Sequence, residues 1–134
     1  MAIDLGDVRT GVAFSDGTGL IAGRALTVKA ASRKELMEAV CRLIDEERPS
    51  TVVVGLPINM NGTEGERAEK SRRFAGELER VSGVSVVLWD ERGTTVTAAR
   101  VLSDAGKKRQ KQREKIDAVA ASIILQGYLD SMNR

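Results

Sequence analysis

Four acidic residues stand where carboxylate chemistry could be done: Asp4, the adjacent pair Asp90 and Glu91, and Asp117. The chain has no histidine, which removes the usual general base, the Ser-His-Asp and Cys-His nucleophile systems and the commonest zinc ligand. An enzyme of this composition works through carboxylates or lysines. Asp4 lies between Ala2-Ile3 and Leu5-Gly6, so the strand alternation that buries Ile3 and Leu5 turns Asp4 to the opposite sheet face. Taken alone, an Asp-x-Gly is more simply a turn former whose carboxylate bonds backbone amides. Asp90 and Glu91 follow an apolar run ending in Trp89, and α/β sites gather beyond the carboxyl ends of parallel strands. Adjacent strand residues point to opposite faces, so one of the two faces the site. Glu91 is the first choice and Asp90 the alternative, the remaining acid being left to pair with Arg92 or to cap the next helix.

Asp117 is the most informative of the four. Helical spacing aligns it with Ala120, Ala121, Ile124 and Tyr128, an apolar face rich in small residues. A carboxylate brought there calls for a salt bridge or a metal ion. Three acids from separate elements at one sheet end make an all-oxygen site suited to Mg²⁺ or Mn²⁺. Two such ions can activate water and stabilise the leaving oxygen in phosphodiester cleavage.

The elements that must position these acids are readable as pattern. Ala2 to Leu5, Thr10 to Phe14 and Leu20 to Val28 read as strands of an antiparallel meander, separated by Gly6-Asp7 and Asp16-Gly17-Thr18-Gly19. Ser32 and Glu35 form a capping box ahead of Leu36, Met37, Val40, Leu43 and Ile44, a helix that should stop at Pro49. The valine run from Thr51 to Leu56 reads as a strand buried on both faces at the sheet centre. A second capping box, Thr63 with Glu66, opens a charged helix to about Val81, and Val84 to Trp89 is another two-sided apolar strand. Helices from about Thr95 to Asp104 and from about Glu114 to Leu129 complete the order βββαβαβαα. This is an α/β fold with a mixed five-stranded sheet and helices on both faces.

Three further features bear on a phosphate-bearing partner. The loop from Gly55 through Asn59 and Asn61 to Thr63 leads into a helix N-terminus, where exposed amides and the helix dipole favour phosphate, though an ordinary strand-to-helix connection would look the same. Arg9, just beyond Asp4, can contact a phosphate or hold a site carboxylate, and Arg92 follows the acidic pair. From Lys107 to Lys115 there are six cations, Lys107, Lys108, Arg109, Lys111, Arg113 and Lys115, against the single acid Glu114. This stretch is the one candidate for a mobile loop, and a nucleic-acid strand reaching Asp117 would pass it and release counterions. A solvated charged loop is the simpler alternative. With only Phe14, Phe74, Trp89 and Tyr128 as aromatics, backbone and shape recognition suit the chain better than base stacking.

Length and composition set outer bounds. At 134 residues the chain is read as one domain, 1–134, long enough to bury a real core. Asp4, Asp7, Arg9 and Asp16 interrupt any apolar leader, and no window approaches a membrane span. A lone Cys41 reads as core filler and fits a reducing compartment, so the expectation is a cytoplasmic protein with no membrane partner. The net charge of +2 is only permissive for nucleic acid.

Four segments, IDLGDVRTGVAFSD, VVVGLPINMNGTEGERA, DERGTTVTA and KIDAVAASIILQGYL, resemble in order and spacing the YqgF/RuvX family, whose members are named both for Holliday junction resolution and for pre-16S rRNA processing. The resemblance covers almost the whole chain. It implies an RNase H-like fold and a divalent-metal nuclease acting on pre-rRNA or branched DNA, as a monomer or homodimer. It maps the family's acidic positions onto Asp4, the Asp90-Glu91 pair and Asp117. One departure from the wider RNase H-like pattern stands out: the strand ending at Gly55-Leu56-Pro57 carries no acid where related resolvases place a glutamate, a role the resemblance transfers to Glu91. That departure motivates a competing expectation, a non-catalytic RNA-binding assembly factor. A sugar-kinase or actin-like ATPase shares the Asp-x-Gly strand and hairpin but needs two such domains around a nucleotide. Substrate, RNA or DNA, is left open.

Overall fold

The computed structural model describes residues 1–92 and 110–133. Five strands and three helices are found among them: β1 Ala2–Asp4, β2 Arg9–Ser15, β3 Ala22–Lys29, α1 Arg33–Glu47, β4 Thr51–Leu56, α2 Glu66–Ser82, β5 Ser85–Asp90 and α3 Gln110–Met132. The expected helix from Thr95 to Asp104 lies outside the described residues. The sheet order is β3-β2-β1-β4-β5, with β1, β2 and β3 antiparallel and β1, β4 and β5 parallel. The expected mixed sheet is therefore present. The middle place belongs to β1 rather than β4, because β1 pairs with both its hairpin partner β2 and the parallel β4.

Side-chain alternation divides the core into two layers. Ile3, Val12, Phe14, Val52 and Val54 pack beneath α1 and α2 with Leu36, Val40, Phe74 and Leu78. Ala2, Ala13 and Val53 face the other way, beneath Ala120, Ala121, Ile124 and Leu125 of α3. Val52, Val53 and Val54 are all essentially inaccessible, as a parallel strand covered on both faces requires, each contributing about 1.5–3 kcal/mol. β5 is the last strand of the described sheet and is only half-buried along Val86 to Trp89, so its two-sided apolar pattern overstates its burial. Cys41 is a free, half-buried thiol at the margin of the first layer, and burial raises its pKa.

Local chemistry explains most boundaries. The Ser32 hydroxyl accepts from the Glu35 amide at 3.2 Å, while the Glu35 carboxylate accepts from the Ala31 amide rather than from Ser32 itself. α1 ends with Arg48 in the left-handed conformation, its amide bonded to the Ile44 carbonyl just before Pro49. The Asp16 side chain closes the β2–β3 turn by accepting from the Thr18 amide and hydroxyl. The second capping box does not form. Gly65 is the N-cap of α2, because the Thr63 hydroxyl is drawn into its own loop, donating to Asn61 Oδ1 and accepting from Asn59 Nδ2. α3 starts at Gln110 rather than about Glu114, so Lys111 and Arg113 are helical rather than part of a mobile loop. No helix among the described residues is long and apolar enough to cross a membrane.

Candidate functional site

Asp4 ends β1 on the α3 face of the sheet, two residues beyond Ala2, and is 5% exposed. Its partner on β2 is Gly11. On the other side the parallel register pairs Ile3 with Val54, so one step further places Gly55 beside Asp4. A row Gly11, Asp4, Gly55 thus crosses three strands on one face, and each glycine lies beneath another of the acids.

Gly11 underlies the backbone of α3. A Cβ there would collide with the carbonyl oxygen of Asp117 and lie 2.7 Å from its carbon. Gly55 underlies side chains, since a Cβ would stand 2.6 Å from both Glu91 Oε2 and Ile124 Cδ1. Neighbouring strands are about 4.8 Å apart, so Glu91 and Asp117 approach Asp4 from its two flanks. The missing acid on β4 has a physical counterpart: the space a side chain at position 55 would fill holds the Glu91 carboxylate.

Asp90 and Glu91 differ in the face they present. Val86 and Leu88 pack toward α1 and α2, whereas Trp89 packs toward α3. Glu91 shares Trp89's parity and is 1% exposed. Asp90 is exposed and binds its neighbour instead, with Arg92 Nε 2.9 Å from Oδ2 and the Arg92 amide 2.9 Å from Oδ1. These hydrogen bonds and the guanidinium charge hold the Asp90 carboxyl below its ordinary range.

Asp117 is half-buried and takes a hydrogen bond from Arg9 Nε at 3.3 Å. Arg9 is thus paired with one of the candidate acids. Ala120, Ala121 and Ile124 are buried along the same stripe of α3, and Tyr128 stacks edge-on against Trp89 at 6.0 Å. Asp4 and Asp117 both line a cleft of about 690 Å³ whose walls come from the β1–β2 turn and the first turns of α1 and α2. Glu91 is not among the residues that line it. Three carboxylates with no sulfur or imidazole are a donor set suited to a hard divalent cation. Among the described residues no three acids stand close enough together to share an ion.

The other candidate residues fall in three places. Asn59 and Asn61 tie the β4–α2 loop together through Thr63, and Arg92 Nη1 would lie 3.4 Å from a Cβ on Gly62 in that loop. Lys111 and Arg113 are in the first turn of α3. Lys107, Lys108 and Arg109 lie outside the described residues. The cleft also contains cations that sequence reasoning missed: Arg33, Arg67 and Lys70. A usable signal existed, since Arg33 and Arg67 occupy the first turns of their helices, where the dipole disfavours positive charge.

The RuvX family model, described as a Holliday junction resolvase, matches residues 1–131. A protein from Myxococcus xanthus is 50% identical over 131 residues, covering 98% of this chain and 87% of its own length. One from Thermoanaerobacter pseudethanolicus is 46% identical, covering 98% and 95%. Both carry the name "Putative pre-16S rRNA nuclease". Among solved structures, RuvC of Thermus thermophilus in complex with a Holliday junction substrate aligns with a TM-score of 0.58 at 16% identity, over 98% of this chain and 92% of that one. At that identity the likeness establishes the shared RNase H-like fold.

Proposed function

The chain belongs to the RuvX Holliday junction resolvase family, and from that membership we propose that it is a divalent-metal-dependent nuclease that hydrolyses phosphodiesters in structured nucleic acid. Its substrate in this proposal is the 5′ end of pre-16S rRNA in the cytoplasm, with four-way junction DNA as the alternative. The observation that carries the proposal is the row of Gly11, Asp4 and Gly55, which brings Asp117 and Glu91 to either flank of a buried Asp4.

Asp4, Glu91 and Asp117 are the residues that would hold Mg²⁺ or Mn²⁺. The chemistry such an ion supplies when bound is activation of water and neutralisation of charge at the phosphodiester. The chain's own residues do the rest. Asp4 is fixed by a short interior strand, and Arg9 orients the Asp117 carboxylate. Burial of Glu91 beside Ile124 keeps bulk water from that flank. Arg92 and the Asn59 to Thr63 loop provide donors for the phosphate backbone, as do Lys111 and Arg113 and the neighbouring Lys107, Lys108 and Arg109.

The test sets a ribosomal precursor RNA and a four-way DNA junction side by side with Mg²⁺ or Mn²⁺, using Asp4→Asn as control. Cleavage of at least one by the parent protein, and a loss of more than about 100-fold in Asp4→Asn, is the expected result. A parent protein that cuts neither, with Asp4→Asn indistinguishable from it, sinks the proposal. One observation favours a second reading, a non-catalytic RNA-binding assembly factor: the described acids do not close into an ion-sharing cluster. Under that reading Asp4→Asn retains the cellular role.

A further inference from the structure

Arg33 and Arg67 stand against the preferences of their own helices. Arg33 is the first residue of α1 and Arg67 the second of α2, positions where unsatisfied amides create partial positive charge and acids, not arginines, are stabilising. Both line the cleft that holds Asp4 and Asp117. Among the described residues neither is committed to an ion pair, whereas Arg9 is bound to Asp117 and Lys70 to Asp7 and Glu66. Both are exposed. Two guanidinium groups without an ion pair among the described residues line one cleft, and an anion arriving from solvent would pair with them.

We infer that Arg33 and Arg67 form a phosphate clamp that grips the nucleic-acid backbone and seats the strand against Asp4 and Asp117. This rests on the nuclease reading and adds to it the wall of the cleft that holds the strand. A guanidinium offers paired N–H donors matched to two phosphate oxygens, so two arginines can hold neighbouring phosphates of one strand while the carboxylates that line the same cleft act on the bond between or beside them. Lys70, anchored by Asp7 and Glu66, sets the field of the cleft and leaves the direct contacts to the arginines. Violation of a local folding preference at a functional cleft is the expected signature of such a role.

The experiment measures binding of a fluorescein-labelled precursor-type RNA hairpin and a labelled four-way DNA junction by anisotropy in EDTA over a series of KCl concentrations. The proteins are the parent, Arg33→Gln/Arg67→Gln, the lysine pair Arg33→Lys/Arg67→Lys, and Arg42→Gln/Arg80→Gln, which removes the same charge away from the cleft. The clamp predicts that the glutamine pair weakens binding about tenfold or more and flattens the slope of log K against log salt by about 1.4 on single strands to 1.8 on duplex, for two lost phosphate contacts. The lysine pair should recover the slope but not the full affinity, because charge returns without the fork. The thermal midpoint of the glutamine pair should hold or rise, since cations leave two helix N-termini. A slope unchanged in the glutamine pair, or an equal loss in the remote pair, overturns the clamp while leaving the nuclease reading intact. A fall in midpoint accompanying the lost affinity assigns the arginines a structural role and also overturns it. Failure of the parent to bind either probe overturns the clamp, while the nuclease reading stands or falls on cleavage in Mg²⁺ or Mn²⁺.

Discussion

The two flanks of Asp4 are built differently. Toward β2, Gly11 lies under the backbone of α3 at Asp117; toward β4, Gly55 lies under two side-chain ends, Glu91 Oε2 and Ile124 Cδ1. The first flank fixes where a helix crosses the sheet and has no atom that can step aside. The second fixes where a carboxylate rests, and both atoms above it sit at the ends of rotatable chains. An identical residue type therefore does two jobs: one sets the fold that delivers Asp117, the other keeps open the space that Glu91 occupies.

The contrast makes ordered predictions. Gly11→Ala should have the largest effect, because α3 must lift from the sheet. Urea unfolding should show a loss of about 3 kcal/mol or more, the upper end for overpacked cores, with nuclease activity abolished. A stable, active Gly11→Ala protein would contradict the close crossing. Gly55→Ala should cost less, about 1–3 kcal/mol, while displacing Glu91. Its cleavage rate should fall about tenfold or more in a protein that remains folded, so that activity drops out of proportion to stability. Equal stability losses in the two variants would erase the distinction between the flanks.

The smallest effect belongs to Asp90, which shares neither flank. Its carboxyl is held below the ordinary range by Arg92, so the pair's stabilisation is present above the unfolded pKa of about 3.9 and fades as pH falls through the lower folded value. The thermal midpoint of Asp90→Asn should lie slightly under that of the parent at neutral pH, by no more than about 1 kcal/mol equivalent, the ceiling for an exposed pair. The difference should shrink on acidification. A gap that widens toward low pH would contradict this assignment.

What sequence patterns could and could not reveal follows the range of the interactions. Strand β4, the Ser32 cap and the buried stripe through Ala120, Ala121 and Ile124 are local or periodic, and each is found where expected. Parity along β5 separates Glu91 from Asp90 by the same local logic. Two boundaries failed for identifiable reasons. Charge alone suggests a loop at Lys111 and Arg113, but Lys, Arg and Gln are good helix formers and α3 includes them. Thr63 has the spacing of a cap, but Asn59 and Asn61 compete for its hydroxyl. The Gly11, Asp4, Gly55 row was invisible, because it exists only through the register of three strands, which no single-strand pattern specifies. The cleft arginines were missed because they come from two helix starts far apart in sequence.

The most direct test of the central claim, that Glu91 rather than Asp90 completes the site around Asp4, is the cleavage rate of Glu91→Gln beside that of Asp90→Asn under saturating Mn²⁺. Glu91→Gln keeps the side chain's shape over Gly55 and removes only its charge. It should lose more than about 100-fold in rate, while Asp90→Asn stays within about threefold of the parent. A Glu91→Gln protein as active as the parent, or one that outperforms Asp90→Asn, would contradict the account.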